Sequence, residues 1–322
     1  MTGLAGEPAP LVFAKGLTKD FGDGEWRLRA VDEVSLSIPT GKTLGVVGES
    51  GSGKSTLGRL LLRLLEPTSG EIRFDGRDLR ALSSGKLRAF RRNMQMVFQD
   101  PYASLNARMT IGAALAEPLR LHRSLSRAQA REAAAALLRQ VGLTAEHLDR
   151  YPRAFSGGQR QRVAIARALA SNPRFIVADE PVSALDVSIQ AEVIQLLLGI
   201  QRELGLSLMF VSHDLSVVEM MADRVLVLYL GRVVEDAPAA EIYSRPAHPY
   251  TAALLQAAPG GRRAGPQLVL GGEIPSPRDP PSGCVFRTRC PFALPECAGA
   301  RPALREVSPG HYKACIRDDL AL

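Results

Sequence analysis

The sequence predicts an α/β fold with a mainly parallel sheet, a helical insertion and a Pro/Gly-rich C-terminal extension. Three observations predict it. An apolar run at 43–47 leads through a glycine-rich loop into a segment with apolar residues at helical spacing. Apolar runs between 174 and 230 alternate with helical segments, which favours a parallel sheet covered by helices. Between them, 110–170 shows helical periodicity throughout.

Composition and charge set the broad class of the protein. With 322 residues, 46% hydrophobic and 23% charged, the chain is long enough for a large core and a smaller appendage, so we expect two domains. A net charge of +7 suits an anionic partner but does not choose between nucleic acid, acidic lipid and nucleotide. No apolar stretch reaches the roughly 18 residues of a membrane-spanning helix, and the N-terminus lacks a signal pattern, so a cytosolic protein is expected.

The first third of the chain contains the glycine-rich loop and its flanking elements. Alternating runs at 12–17 and 31–38 predict strands, and the apolar run TLGVV at 43–47 predicts a buried strand. The loop follows directly. KSTLGRLLLRLL at 54–65 predicts a helix, which the turn-forming residues at 66–70 end.

The rest of the chain continues this alternation and then changes composition. A helix is predicted to begin at a Ser126-x-x-Gln129 capping box and to stop at Gly142. Little regular structure is expected in 259–310, which is rich in Pro and Gly. Three further strands are predicted, at 174–179, 206–212 and 224–230.

The glycine-rich loop has the spacing of a phosphate-binding loop. Gly48 to Ser55 fits G-x-x-x-x-G-K-[ST], in which small residues let backbone N–H groups surround a phosphate chain at a helix N-terminus. Lys54 would meet the β- and γ-phosphates, and the Ser55 hydroxyl would ligate Mg²⁺. The predicted nucleotide-binding residues are Gly48, Glu49, Ser50, Gly51, Ser52, Gly53, Lys54, Ser55 and Thr56.

Polar residues follow several predicted strands at the sheet edge where ligands collect. Asp179 and Glu180 end the run FIVADE; the first would hold Mg²⁺ and the second would orient the attacking water. His213 and Gln99 also come directly after predicted strands, where side chains can contact a phosphate or a metal. A purely structural role stays open for both.

The segment AFSGGQRQR is compatible with a second anion site. Ser156 can cap a helix that begins near Gly158, and Gly157 and Gly158 expose N–H groups without side-chain obstruction. Such a turn binds phosphate, but a well-capped helix without a ligand explains the residues equally well.

Taken in order, the motifs GESGSGKST, VFQDP, FSGGQRQR, FIVADEP, SALD and SHD resemble the ATP-binding subunit of an ABC transporter over about 11–240. The resemblance implies a P-loop NTPase core of the ABC-ATPase type with a helical subdomain at about 100–171. It also implies ATP and Mg²⁺ as cofactors and two ATP molecules held between two subunits. One chain alone is then expected to be a poor ATPase.

The same resemblance assigns roles to individual residues. Gln99 would ligate Mg²⁺ and sense the membrane subunit, Glu180 would be the catalytic base, and His213 would contact the γ-phosphate. Phe21 matches the aromatic residue that stacks on adenine, with Trp26 as a rival. Residues assigned to the partner's nucleotide and the subunit interface are Ser156, Gly157, Gly158, Gln159 and Asp186.

The tail resembles the C-terminal extension of the oligopeptide/dipeptide importer subfamily, which includes nickel and glutathione importers. PAHPYTAALLQAAP, GGEIPSP and SGCVFRTRCPFALPEC carry this resemblance, and the core motifs favour the F-type ATPase subunit. It implies an ATP-binding domain at 1–240 and an extension at 241–322. The implied function is ATP-driven import of di- and oligopeptides; a nickel or glutathione importer, or an ABC-type ATPase acting on nucleic acid, stays an alternative.

The implied partners follow from the subfamily. They are a different second ATPase subunit forming a heterodimer, two transmembrane permease subunits and, indirectly, an extracytoplasmic solute-binding protein, with no nucleic acid. The chain would be peripheral on the cytoplasmic face of the inner membrane.

The four cysteines all lie in the tail and suggest one local thiol site. The intervals between them are five, six and 17 residues, wider than the knuckles of common zinc sites. Four thiolates can hold a [4Fe–4S] cluster or zinc, and the subfamily resemblance implies the cluster. Zinc and free or redox-active thiols stay open. The predicted ligands are Cys284, Cys290, Cys297 and Cys315.

Overall fold

The computed structural model describes residues 9–100, 105–258, 271–320 and 322. They fall into two compact units. Residues up to 38, 43–80 and from 210 onward form the first unit; 39–42 and 81–209 form the second. The predicted domain boundary at 240 stays a prediction.

The strands and helices are given in chain order. The strands are β1 (Val12–Phe21), β2 (Leu28–Ile38), β3 (Thr43–Val47), β4 (Ser69–Phe74), β5 (Arg77–Asp78), β6 (Met94–Val97), β7 (Phe175–Asp179), β8 (Ser207–Val211), β9 (Arg224–Tyr229), β10 (Arg232–Pro238), β11 (Arg305–Ser308) and β12 (His311–Lys313). The helices are α1 (Lys54–Leu61), α2 (Ser84–Phe90), α3 (Ile111–Arg123), α4 (Arg127–Gln140), α5 (Gly157–Leu169), α6 (Val187–Leu204), α7 (Leu215–Met221), α8 (Ala239–Ser244) and α9 (Pro249–Ala257).

The first unit contains an antiparallel sheet of order β2-β1-β4-β5. It also contains a run of strands of order β11-β12-β10-β9-β3, in which β3 and β9 are parallel and the remaining neighbours antiparallel. All five residues of β3 are buried, which explains why its sequence is a continuous apolar run rather than an alternating one. The glycine-rich loop leaves the carboxyl end of this buried strand.

The C-terminal part departs from the sequence prediction. Residues 259–270 lie outside the described part, but within 271–310, where little regular structure was predicted, β11 forms a hairpin with β12. Strand β12 pairs with β10 at Glu235↔Lys313 and Asp236↔Tyr312. The hairpin gave no apolar strand pattern, because most of β11 is exposed and the buried residues of β12, His311 and Lys313, are polar.

The second unit places the helical insertion beside a short parallel sheet. Its strand order is β8-β7-β6, with β6 and β7 parallel; β8 begins in this unit and ends in the first. The helices α3, α4 and α5 confirm the helical periodicity predicted for 110–170. The capping box at the start of α4 is also confirmed: Ser126 Oγ accepts a hydrogen bond from the Gln129 N–H at 3.3 Å.

Helix α1 is shorter than its sequence pattern predicts. It ends at Leu61 instead of continuing to residue 65, because Arg63 adopts a left-handed conformation with φ +48°. Across the described residues, no helix is both long and apolar enough to cross a membrane.

Candidate functional site

The glycine-rich loop can form only with glycine at two of its positions. Gly48 has φ +150°, and a Cβ there would lie 2.2 Å from the carbonyl oxygen of Leu228. Gly53 has φ +101°, and its Cβ would lie 2.2 Å from the carbonyl oxygen of Ala30. Because backbone carbonyls cannot move aside as a flexible side chain can, any larger residue would open the loop. The glycines therefore fix the path of the backbone between β3 and α1.

Lys54 lies beneath this loop and binds the loop's own carbonyl groups. Its side chain is buried, and its ammonium donates hydrogen bonds to Gly48 O at 2.6 Å and Glu49 O at 2.9 Å. Gly53, at the N-cap of α1, provides no side-chain cap. A positive charge and the N-terminus of α1 therefore meet at one loop, the arrangement that binds anions.

The other predicted loop residues surround this lysine. Ser52 is buried, and its Oγ lies 3.4 Å from Lys54 Nζ. Ser50 and Gly51 are exposed, and Ser55 and Thr56 are half-buried. The outer side of the loop is thus accessible, while its inner side is filled by the lysine.

Two residues of the C-terminal part contact Glu49 of the loop, and the sequence did not indicate them. Arg289 forms a bidentate ion pair with the Glu49 carboxylate, at 2.6 and 3.0 Å. The Tyr250 hydroxyl accepts a hydrogen bond from the Glu49 backbone N–H at 2.8 Å. The pairing with Glu49 raises the pKa of Arg289, whose side chain is only 4% exposed. Since Glu49 and Arg289 lie 240 positions apart, no local pattern could have predicted the contact.

In the second unit, Asp179 and Glu180 lie at the carboxyl end of β7. Asp179 is 2% exposed. Glu180 is half-buried and has φ +45°, an unusual backbone conformation for a residue with a side chain. Its Oε2 accepts a hydrogen bond from Gln99 Nε2 at 3.0 Å. The structure therefore brings together two of the predicted catalytic residues, at the ends of the adjacent strands β6 and β7.

The Ser-Gly-Gly turn is the start of α5. Ser156 is the N-cap, its Oγ accepting from the Gln159 N–H at 3.3 Å while Gln159 Oε1 accepts from the Ser156 N–H at 3.1 Å. This is the same S-x-x-Q capping box as at Ser126, although only the one at Ser126 was predicted from the sequence. A Cβ on Gly158 would lie 2.4 Å from Ile189 Cγ2, so this glycine permits close packing on α6.

His213 and Asp186 are exposed. His213 lies two residues beyond the end of β8 in the first unit. Asp186 is the N-cap of α6 but makes no side-chain cap hydrogen bond. Both side chains are accessible from solvent, as a residue that meets a nucleotide or a partner must be.

Both candidate adenine-stacking rings are exposed. Phe21 is 37% exposed, with the Lys19 ammonium 5.0 Å from its ring centroid. Trp26 is 71% exposed, with the Arg278 guanidinium 5.5 Å from its centroid.

The predicted metal site in the tail is wrong. All four cysteines lie in the part of the chain that the structure describes, and no group of three or more His, Cys, Asp or Glu side chains there is placed to hold a metal ion. Burial raises the pKa of Cys290 to about 11 and also raises the pKa of Cys284. Sγ atoms of Cys297 and Cys315 instead accept from the backbone N–H groups of Leu294 and Arg317, both at 3.4 Å. The cysteine spacing was compatible with a [4Fe–4S] cluster, but spacing does not fix the geometry of thiols.

Two family descriptions match the chain. Residues 31–183 match the family described as ABC transporter, and 234–297 match the family described as oligopeptide/dipeptide transporter, C-terminal region. The first match includes the glycine-rich loop, the Ser-Gly-Gly turn and Glu180. The second includes both Tyr250 and Arg289.

Relatives match over nearly the full chain. A putative peptide import ATP-binding protein of Brucella ovis is 55% identical over 97% of this chain and 99% of its own length. The putative oligopeptide transport ATP-binding protein YkfD of Bacillus subtilis is 50% identical over 95% of each chain. The oligopeptide transport ATP-binding protein AppF of the same species is 52% identical over 89% of each.

Solved structures confirm the predicted fold class. A dimeric, post-hydrolysis structure of the ATP-binding cassette MJ0796, bound to ADP and Pi, is similar with a TM-score of 0.65 and 34% identity, covering 71% of this chain and 98% of that one. CbiO1 from Clostridium perfringens, part of the transporter complex CbiONQ, gives a TM-score of 0.66 at 28% identity, covering 74% and 92%. The chain therefore belongs to the ABC transporter family as one of its ATP-hydrolysing subunits, in the branch with an oligopeptide/dipeptide transporter C-terminal region.

Proposed function

We propose that this ATPase drives the import of di- and oligopeptides by coupling ATP binding and hydrolysis to membrane permease subunits. The observation that carries the proposal is the 55% identity to a putative peptide import ATP-binding protein, which extends over 97% of this chain and so includes the C-terminal region. A likeness confined to the ATP-binding core would support ATP hydrolysis without indicating a transported solute.

The loop and Lys54 are proposed to bind the phosphates of ATP. Lys54 already lies at the loop, where two carbonyl oxygens hold its ammonium, so its charge is in place to bind the β- and γ-phosphate oxygens. Phe21, with Trp26 as the rival, would stack on adenine. Each ring is exposed enough to accept a base on one face.

Mg²⁺ would be held by Ser55, Gln99 and Asp179. The donor set fits the ion, because a hydroxyl, an amide oxygen and a carboxylate are the hard oxygen ligands that Mg²⁺ prefers. Gln99 donates through Nε2 to Glu180, which leaves its Oε1 as the atom to ligate a cation. The ion, when bound, neutralises charge that develops on the β- and γ-phosphate oxygens.

Hydrolysis is proposed to depend on Glu180 and His213. The Glu180 carboxylate would accept a hydrogen bond from the attacking water and hold it in line with the γ-phosphate. The hydrogen bond from Gln99 Nε2 orients the Glu180 carboxylate. His213 would donate to the γ-phosphate from the end of β8.

The Ser-Gly-Gly turn is proposed to complete the ATP site of a second, related ATPase subunit. Ser156, Gly157, Gly158 and Gln159 lie at the N-terminus of α5, where backbone N–H groups and the helix dipole favour an anion. Asp186 would lie at the interface between the subunits. The similar MJ0796 cassette is dimeric, which supports a paired arrangement. We propose a heterodimer, because this chain resembles the F-type subunit, which is one of two different ATPase types that pair in this subfamily.

The proposed import of peptides also requires membrane permeases and a solute-binding protein. The heterodimer would lie peripherally on the cytoplasmic face of the inner membrane, bound to two permeases that receive peptides from an extracytoplasmic binding protein. No helix in the described part of the chain could itself cross the membrane, which is consistent with this placement.

Uptake measurements test the transported solute. The gene is deleted in the source bacterium, and uptake of labelled di- and tripeptides, nickel and glutathione is measured separately. We expect peptide uptake to be lost, to return with the wild-type gene and with Lys86→Ala, an exposed lysine of α2, and not to return with Lys54→Ala. Loss of only nickel or only glutathione uptake would reassign the solute, and unchanged uptake of all three would contradict the proposal.

A further inference from the structure

Glu49, the second residue of the phosphate-binding loop, is held at two points by the C-terminal part of the chain. The Arg289 guanidinium donates to both oxygens of the Glu49 carboxylate, and the Tyr250 hydroxyl accepts from the Glu49 backbone N–H. The Arg289 side chain is 4% exposed and that of Glu49 23% exposed, so the ion pair is largely shielded from water. A shielded, bidentate pair fixes position far better than an exposed surface pair does.

Arg289 and Tyr250 are themselves fixed. Arg289 Nε donates to Gly271 O at 3.2 Å, and its guanidinium lies 5.8 Å from the ring centroid of Tyr229. Tyr250 is fully buried, with its ring centroid 4.8 Å from that of Tyr229 and 5.3 Å from that of Phe286. Two rigid side chains therefore define where the Glu49 peptide lies.

The position of Glu49 matters for phosphate binding, because Lys54 uses its carbonyl oxygen. That oxygen accepts from Lys54 Nζ at 2.9 Å, beside the Gly48 carbonyl at 2.6 Å. The Ser52 N–H also donates to Glu49 O, at 3.2 Å. If the Glu49 peptide moved, the Ser52 N–H and the Lys54 ammonium would both lose the carbonyl oxygen to which they donate.

We propose that Arg289 and Tyr250 are positioning residues for ATP: the C-terminal part of the chain holds the phosphate-binding loop in its nucleotide-ready shape through Glu49. The inference deepens the ATP-binding part of the proposed function and is independent of the solute carried. Neither residue touches the nucleotide. Their contribution is to preorganise the loop, so their loss weakens ATP binding and leaves the hydrolysis step of bound ATP nearly unchanged.

The test measures binding of the Mg²⁺ complex of AMP-PNP to the full chain, together with the melting temperature in the absence of nucleotide. Tyr250→Phe removes only the hydroxyl that accepts from Glu49, and we expect the Kd to rise about threefold to tenfold, the value of one hydrogen bond. Arg289→Ala is expected to raise Kd by about tenfold or more, with partial recovery in Arg289→Lys, because lysine restores the charge but not the bidentate geometry.

Arg287→Ala is the matched control. It removes a guanidinium from the same segment whose hydrogen bonds go to Ser282 and therefore stay within the C-terminal part. Its Kd is expected to stay within about twofold of wild type. In the assembled transporter, Tyr250→Phe should raise the KM for ATP and leave kcat nearly unchanged.

Coupling between the partners gives a second readout. Since Arg289 acts through Glu49, the double variant Glu49→Gln/Arg289→Ala should bind nucleotide no more weakly than Arg289→Ala alone. A lower melting temperature with unchanged Kd in Tyr250→Phe and Arg289→Ala would overturn the proposal and leave the contacts a purely structural anchor. Should Arg289→Ala fail to fold, Tyr250→Phe decides alone. A wild-type chain that does not bind nucleotide would instead contradict the proposed ATP site.

Discussion

Glu180 has a backbone conformation that a residue with a side chain seldom adopts. Its φ is +45°, and its carbonyl oxygen accepts from Ser183 Oγ at 3.0 Å and from the Ser183 N–H at 3.3 Å. Strained residues persist only where their surroundings fix them, and they are concentrated at functional sites. The turn after β7 therefore fixes the backbone of Glu180, and the hydrogen bond from Gln99 Nε2 orients its carboxylate.

At the residue scale, Glu180→Gln separates binding from hydrolysis. The amide keeps the size of the side chain but cannot accept a proton from water, so ATP binding should persist while turnover falls by about 10²- to 10⁴-fold. The assembled transporter should then accumulate with its ATPase subunits closed on ATP. Turnover is measured as phosphate release, and binding as ATP retained by the complex.

Glu192→Gln makes the same chemical change on α6, at an exposed carboxylate paired with Arg162 at 2.7 Å. It should hydrolyse ATP at the wild-type rate, since exposed pairs contribute little. If Glu180→Gln also kept the wild-type rate, Glu180 would not be the base.

At the element scale, α4 and α5 begin with the same capping box but have different expected functions. In each helix a serine Oγ accepts from the N–H of a glutamine three residues on, at 3.3 Å, and both serines are exposed. Only α5 has two glycines in its first turn. The two helices thus form a natural pair for separating helix stability from phosphate binding.

Ser126→Ala and Ser156→Ala should each lower the free energy of unfolding by about 1 kcal/mol, because each removes one N-cap hydrogen bond. Hydrolysis by the assembled transporter should fall about tenfold to a hundredfold in Ser156→Ala alone, where a hydroxyl would meet the partner's γ-phosphate. Chemical unfolding and phosphate release check the two quantities. Equal ATPase rates in both variants would leave the Ser-Gly-Gly turn as a capped helix and nothing more.

At the scale of the whole molecule, local patterns predicted the elements but not the contacts that join the tail to the loop. Strands β3 and β7 could be predicted because every residue in them is buried, which leaves an apolar run. The β11–β12 hairpin could not, since its His311 is buried against Glu235, at 2.7 Å, rather than in an apolar core. Nothing in the sequence distinguished Arg289 from the other basic residues, because its ion pair with Glu49 forms only in the folded chain.

The packing of the C-terminal part also buries a histidine almost completely. His248 is 1% exposed at the N-cap of α9, where its Nδ1 accepts from the Tyr250 N–H at 3.1 Å. The backbone N–H of His248 donates to Glu235 Oε2 at 2.9 Å. Burial, with a smaller contribution from Lys313, lowers the pKa of His248 to about 3. The folded protein therefore contains a neutral imidazole that the unfolded chain would protonate near pH 6.5.

This histidine should make the first unit less stable in acid. Between about pH 6.5 and about pH 3 the unfolded chain binds a proton that the folded one does not, so the free energy of unfolding falls as pH falls, by up to about 1.4 kcal/mol per pH unit. His248→Asn keeps a capping oxygen but cannot titrate; it should be less stable than wild type at pH 7.5, because it loses the ring packed on Phe286. Its further loss on going to pH 5 should be smaller than that of wild type by about 2 kcal/mol. Glu235 and Lys313 are present in both proteins, so the difference between the two losses reports the change at position 248. Urea unfolding at the two pH values, followed by circular dichroism, measures the difference; an equal loss in both proteins would show that His248 is not held neutral by the fold.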